Sequence, residues 1–273
     1  MTFDTKKYKK FALMQLQNRW KPAILATLIS LLLICVFSFT NSKTPSLDYN
    51  ALMTASTEEL LNTLQNSGNT GLAFILDFLE TIVSFIIEIV LVSFFLIFSR
   101  SPDPVSMKNY FDGYNKWAKG ILNGLWKLLW MFLWALLAIP VLMLCAFLVV
   151  FLPFELSLTA RIISASIALC IGFIPMFIKA LQYSFSFFFA AEFSELGVRK
   201  ALQLSICIVK GHTKDVFILN LSFIGWFFLS ILTFGIGFVC YTPYYYMTLT
   251  NAYHALLQDA LESGKIKPED LNS

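Results

Sequence analysis

Roughly six long apolar stretches constrain this chain more than any other feature. A helix needs about 20 apolar residues to cross the ~30 Å hydrocarbon core of a bilayer. Stretches of that order run over residues 22–40, 78–99, 128–152, 162–183, 216–234 and 239–257. With 58% hydrophobic and only 14% charged residues, 273 residues have no soluble core large enough to hide them; ordinary soluble chains are about 45–50% apolar and about 25% charged. The 28 Phe point the same way. The predicted fold class is therefore all-α: a polytopic transmembrane bundle of about six spans, with interfacial amphipathic helices on the cytoplasmic side. Residues 1–21 read as a basic amphipathic segment, 22–258 as the membrane domain, 41–70 as the outside loop and 259–273 as a polar tail.

Lys and Arg placement sets the expected orientation, because basic residues accumulate in cytoplasmic loops. Apart from Lys43 and Arg161, every Lys and Arg falls in the N-terminal segment, the second or fourth connection, or the tail. Six spans then put both termini in the cytoplasm of a bacterial plasma membrane. The first span has a basic flank, but its run exceeds the 7–15 residues of an ordinary signal core and no clean cleavage site follows. It reads as an uncleaved anchor.

The loops carry little chemistry. In the outside loop, Ser56 and Glu59 stand at capping-box spacing before Leu60, Leu61 and Leu64, the pattern of a short surface helix. A basic segment precedes a pair of spans three times, at 6–21, 109–127 and 192–214, which is compatible with an internal repeat or with topology alone. Such segments ordinarily lie in the headgroup plane. The net charge of +3 is small and spread among juxtamembrane clusters, so the expected contact is membrane lipid and not nucleic acid.

Catalytic equipment is sparse. The two His, His212 and His254, belong to no HExxH pattern, and no P-loop, nucleophile elbow or dinucleotide fingerprint occurs. The five Cys are isolated and read as small apolar residues. No metal or cofactor is expected, and no enzyme. Glu195 and Arg199 have the spacing of part of an intramembrane-protease motif, but Ser194 stands where a second Glu belongs. They read more simply as an i,i+4 ion pair.

The informative polar positions are Asp77, Glu80 and Glu88, which fall within about an 80° arc of the second helix. A charged Glu88 near mid-span costs about 2–3.5 kcal/mol on insertion scales. Two readings stay open: a proton or cation path or a clamp for a cationic ligand; or a structural Glu88, hydrogen-bonded to Asn220 or Tyr183. Trp126, Trp130 and Trp134 recur at i,i+4 spacing and suit lipid or a neighbouring helix. Tyr241, Tyr244, Tyr245 and Tyr246 fit an interfacial aromatic belt.

The C-terminal half carries a more specific pattern. Phe173-Ile174-Pro175, Lys179 and Tyr183-Ser184 form one element. Glu192, Ala201, Ser205 and Lys210-Gly211 form a second. The run from Phe217 through Asn220, Ser222 and Gly225 to Trp226 is the third, followed by Phe234-Gly235-Ile236-Gly237, Pro243-Tyr244 and Tyr253. Together these resemble the bacterial integral-membrane family catalogued as domain of unknown function 975. The resemblance implies a multi-span plasma-membrane protein and supplies no activity. On their own chemistry, Gly211 suits a left-handed helix end. Ser222 and Gly225 suit close helix approach, with Trp226 filling a groove.

The leading functional expectation is an accessory or immunity-like factor that binds a membrane-protein or cationic peptide partner. A small transporter or channel using Glu88, and a lipid-handling or lipid-sensing protein, are the alternatives. The topology is testable: an enzymatic reporter fused after Ser273 is expected to be active only in its cytoplasmic form, and activity only outside would leave five spans.

Overall fold

The computed structural model describes residues 3–41, 70–101, 105–151 and 158–271. Ser56, Glu59 and the rest of their short helix lie outside the described residues. All regular elements among the described residues are helical. They are α1 (Thr5–Leu16), α2 (Trp20–Asn41), α3 (Thr70–Arg100), α4 (Met107–Asp112), a 3₁₀ turn (Gly113–Lys116), α5 (Trp117–Phe151), α6 (Leu158–Gln182), α7 (Ser186–Glu192), α8 (Val198–Val209), α9 (Thr213–Leu221), α10 (Ile224–Leu232), α11 (Phe238–Glu262) and a closing 3₁₀ turn (Pro268–Leu271).

Among the described residues, five segments are long and apolar enough to cross a membrane: Trp20–Ser38, Phe74–Arg100, Met107–Val141, Gly172–Glu192 and Thr213–Leu232. The protein is a membrane protein with an all-α bundle. The sixth expected span is α11, whose 25 residues are long enough but less apolar. Its position explains this. α11 packs against α1, α2, α3, α8 and α10, so its neighbours are protein on several sides. Thr248 and Thr250 are fully buried and satisfied within the helix, donating to the Tyr244 and Tyr246 carbonyls at 2.8 Å each. Pro243 has no N–H for the Val239 carbonyl four residues back. The buried Thr27 hydroxyl of α2 reaches that carbonyl at 3.4 Å.

Several expectations need correction. The segment 109–127 is not one interfacial helix: the chain turns at Gly113, pressed against Val90 of α3, and the long helix starts at Trp117. The fifth span is not continuous but breaks at Ser222–Phe223 between α9 and α10. Side chains there compete for helix carbonyls: Asn220 donates to Val216 at 2.8 Å and Ser222 to Leu219 at 2.6 Å. Lys9 of α1 donates to the Ser222 carbonyl at 2.9 Å and lies 4.1 Å from the Phe223 ring centroid. Burial holds the Lys9 ammonium below its ordinary pKa. The tail is partly folded: Ile266 is 2% exposed, and Lys200 reaches Asp270 at 3.3 Å.

Two of the helix ends behave as expected. Gly211 closes α8 at φ +102°, and the 233–237 connection turns through Gly235 at φ +89°. The packing glycines are elsewhere than expected. A Cβ on Gly225 would meet nothing within 4 Å, and Trp226 is half-exposed. Close approach is made instead by Gly120 and Gly124, a small-xxx-small pair that lets α5 lie on α3. A Cβ at Gly120 would come within 2.6 Å of Ile89, and one at Gly124 within 2.1 Å of the Phe85 ring.

The core gathers near the C-terminal end of α3. Phe94, Phe95 and Phe98 meet Phe185, Phe188 and Phe189 of the α6–α7 corner around Tyr253 of α11, all less than 2% exposed. Tyr253 lies 5.1 Å from Phe188 and 5.2 Å from Phe189 between ring centroids; such pairs add about 0.5–1.5 kcal/mol each beyond their burial. Lys116 and Lys119 hold the end of α7, Lys116 on the Ala191 carbonyl and Lys119 on those of Phe193, Ser194 and Leu196.

The glycine contacts generate a paired test. Gly124→Ala should lower thermal stability in detergent by about 1–3 kcal/mol, the usual cost of overpacking. Gly225→Ala should leave it unchanged or slightly raised, since Ala favours helix and the site is open.

Candidate functional site

Glu88 lies midway along α3, half-buried, facing α11. The Tyr246 hydroxyl donates to its Oε2 at 2.7 Å. Lys127 of α5 is within electrostatic reach of the same carboxyl, and its ammonium lies 5.5 Å from the Phe187 ring centroid. One turn-neighbour on α11 repeats the device: Tyr245 donates to Asn220 Oδ1 of α9 at 2.7 Å. Consecutive tyrosines thus bind α11 to α3 and to α9. The Tyr246 ring also stacks on Phe95 at 5.7 Å, which fixes its direction.

This corrects two expectations. Glu88 is hydrogen-bonded to Tyr246 and not to Asn220 or Tyr183; each of those has its own partner, Asn220 the Tyr245 hydroxyl and Tyr183 the Trp134 indole N–H at 3.1 Å. Tyr245 and Tyr246 do not form a lipid-facing belt, and Tyr244 is 9% exposed. The tyrosines turn inward because α3 and α9 offer them acceptors.

Asp77 and Glu80 stand toward the other end of α3. Ser38 of α2 donates to Glu80 at 2.5 Å, and Asp77 lies on an exposed side with Phe74, Ile75, Phe78 and Leu79. Eight residues, roughly 12 Å of helix rise, separate Glu80 from Glu88. The four polar positions Asp77, Glu80, Glu88 and Asn220 therefore do not converge on one cavity. They form an interior pair of links and a separate acidic end.

The motif residues are mainly joints. Glu192 closes α7 and pairs with Arg100 at the end of α3. Beside them Ser99 shares a 3.0 Å hydrogen bond with His254. Ser205 of α8 ties the α6–α7 corner, accepting from the Phe185 N–H at 3.1 Å and donating to the Gln182 carbonyl at 2.7 Å. Lys210 and Gly211 end α8, and Pro175 lies on an exposed side within α6. A Cβ on Gly237 would meet Ser230 at 2.6 Å, so the α10–α11 hairpin needs that glycine. Trp226 lies edge-on to Tyr244 at 6.1 Å.

Sequence reasoning missed Arg100, His254 and Lys127, whose partners are distant in sequence and visible only once the helices pack. It also misread Glu195 and Arg199. Glu195 lies in the turn before Val198, outside helical register with Arg199. It accepts from Ser194 at 3.3 Å, while Arg199 spreads 5.6 Å from the Trp126 ring centroid. Among the described residues no group of three or more His, Cys, Asp or Glu has metal-holding geometry.

Glu192, Ser205, Gly211 and Gly237, which carried the resemblance noted in the sequence, stand at joints of the fold. Residues 1–260 match the family described as Protein of unknown function (DUF975). The chain belongs to that family. The match takes in the N-terminal half, where the resemblance read from sequence rested mainly on layout. No curated protein and no solved structure matches the chain.

The Glu88 link predicts an ordered series. Glu88→Gln keeps an acceptor for Tyr246 and should cost less than about 1 kcal/mol in detergent unfolding. Glu88→Leu strands the tyrosine hydroxyl and should cost about 1–3 kcal/mol. Equal stability of the two variants would break the link from Glu88 to Tyr246.

Proposed function

We propose that this protein is a non-enzymatic accessory or immunity-like factor of the bacterial plasma membrane. Its ligand is a cationic amphipathic peptide, free or as a segment of a membrane partner. The observation that carries the reading is the bond from Tyr246 to Glu88. A carboxylate serving a cation path needs water and a free approach. This one is engaged by a tyrosine from one helix and faces a lysine from another. Intramembrane carboxylates ordinarily find a partner inside the bundle, and here the partner is structural.

The proposed binding surface is the acidic end of α3, where Glu80 also accepts from Ser38 of α2. Asp77 and Glu80 are set among exposed Phe74, Ile75, Phe78 and Leu79, which suits a ligand with one basic and one apolar face. Lys and Arg distribution argues that both termini are cytoplasmic. The Asp77 end then looks outward, where such a peptide arrives, and α1 and α8 lie as amphipathic helices at the cytoplasmic interface.

The test uses nanodiscs of neutral lipid and a fluorescent Lys/Leu helical peptide. Asp77→Asn with Glu80→Gln should weaken binding about tenfold, equivalent to ~1.4 kcal/mol. Glu88→Gln should leave it within about threefold of wild type. Proton or potassium flux into liposomes that is lost in Glu88→Gln would overturn the reading in favour of transport.

A further inference from the structure

We propose a second binding site, at the opposite end of the bundle: a cleft for the phosphate-bearing headgroup of an anionic phospholipid. It goes beyond the peptide reading and does not depend on it. The cleft has a volume of about 260 Å³ and lies between α5, α6 and α8. Trp126, Trp130 and Trp134 form its α5 wall, and Lys179 and Arg199 enter from the other two helices. None of its lining residues is acidic.

The arrangement of charges follows the indoles. Arg199 lies 5.6 Å from the Trp126 centroid and Lys179 5.1 Å from that of Trp134. Those two tryptophans are eight residues apart, roughly 12 Å of helix rise, so the two cations mark the two ends of the indole wall. The Trp134 indole is held by its 3.1 Å bond to Tyr183, itself 2% exposed. The Arg199 and Lys179 contacts are both cation–π arrangements, in which the ring attracts the cation electrostatically. Gln203 adds a polar group at the rim.

A free anion needs only the charges. The surroundings of this cleft add an apolar path. Further along the α5–α6 hairpin, Leu133, Leu137, Ile174 and Ile178 are all exposed. A headgroup in the cleft leaves its acyl chains on that surface. Trp and Tyr prefer the headgroup level of a bilayer, and basic residues there attract anionic lipid. Charge complementarity and the continuous apolar path together select an anionic phospholipid over inorganic phosphate or an acidic protein.

The experiment is native mass spectrometry of the full chain, purified and supplied with equal phosphatidylglycerol and phosphatidylcholine. Wild type should retain phosphatidylglycerol preferentially, and Lys179→Gln with Arg199→Gln should lower that retention roughly tenfold or more. Gln203→Glu, an exposed change that puts a carboxylate at the rim, should lower it too and covers any failure of the double variant to fold. Retention that is unaltered in Gln203→Glu and in a folded double variant overturns the site. So does displacement of the lipid by millimolar inorganic phosphate, which marks a free-anion site. Equal retention of the two lipids, as expected of a cleft made for an acidic protein segment, overturns it as well.

Discussion

Every polar group taken into a bilayer must find its partner inside the protein, and among the described residues several of these partnerships meet on α11. Thr27 attends the carbonyl freed by Pro243, Tyr245 holds Asn220, Tyr246 holds Glu88, and His254 shares a hydrogen bond with Ser99. Lower on the same helix Asn251 donates to Gln15 of α1 at 2.9 Å, and Gln15 donates to the Ser99 carbonyl at 3.2 Å. The least apolar long helix is thus the hub. The apolar helices around it need little polarity because α11 supplies it.

This division of labour decides how much could be read from the chain. A 20-residue apolar run is a local property, so the first two spans were legible with errors of a few residues, whereas the helix of the third span begins at Trp117, well before the expected start at 128. α11 was legible as a helix, but the direction of its tyrosines was not, since period and composition describe a lipid belt and an inward ladder equally well. The break at Ser222 was hidden for a related reason. Asn220 and Ser222 weaken the local helix, but the break also needs Lys9, far away in sequence, to take up the Ser222 carbonyl. Gly225 looked like a contact point because it stands in a small-residue pattern, but its own face of α10 is open; the spacing 120–124 is the same signal on a helix face that meets a neighbour.

The candidate site was legible in part. Asp77, Glu80 and Glu88 stand out in the sequence as polar positions on an apolar helix, but a helical arc does not say which side chains share a partner. The structure divides them along the axis of α3. Chemical asymmetry follows: carboxylates at one end among exposed aromatics, a lysine and an arginine among indoles at the other. The two ends differ in charge, and the polar links of α11 lie between them.

The Lys9–Ser222 and Gln15–Asn251 contacts join the beginning of the chain to its end. A ribosome delivers α1 first and α11 last. Through most of synthesis, therefore, Gln15 waits without Asn251, and Glu88 enters the membrane before Tyr246 exists. The polar links described above close only once α11 has joined the earlier helices. A nascent chain stopped before α11 leaves Gln15, Glu88 and Asn220 without the partners that helix supplies.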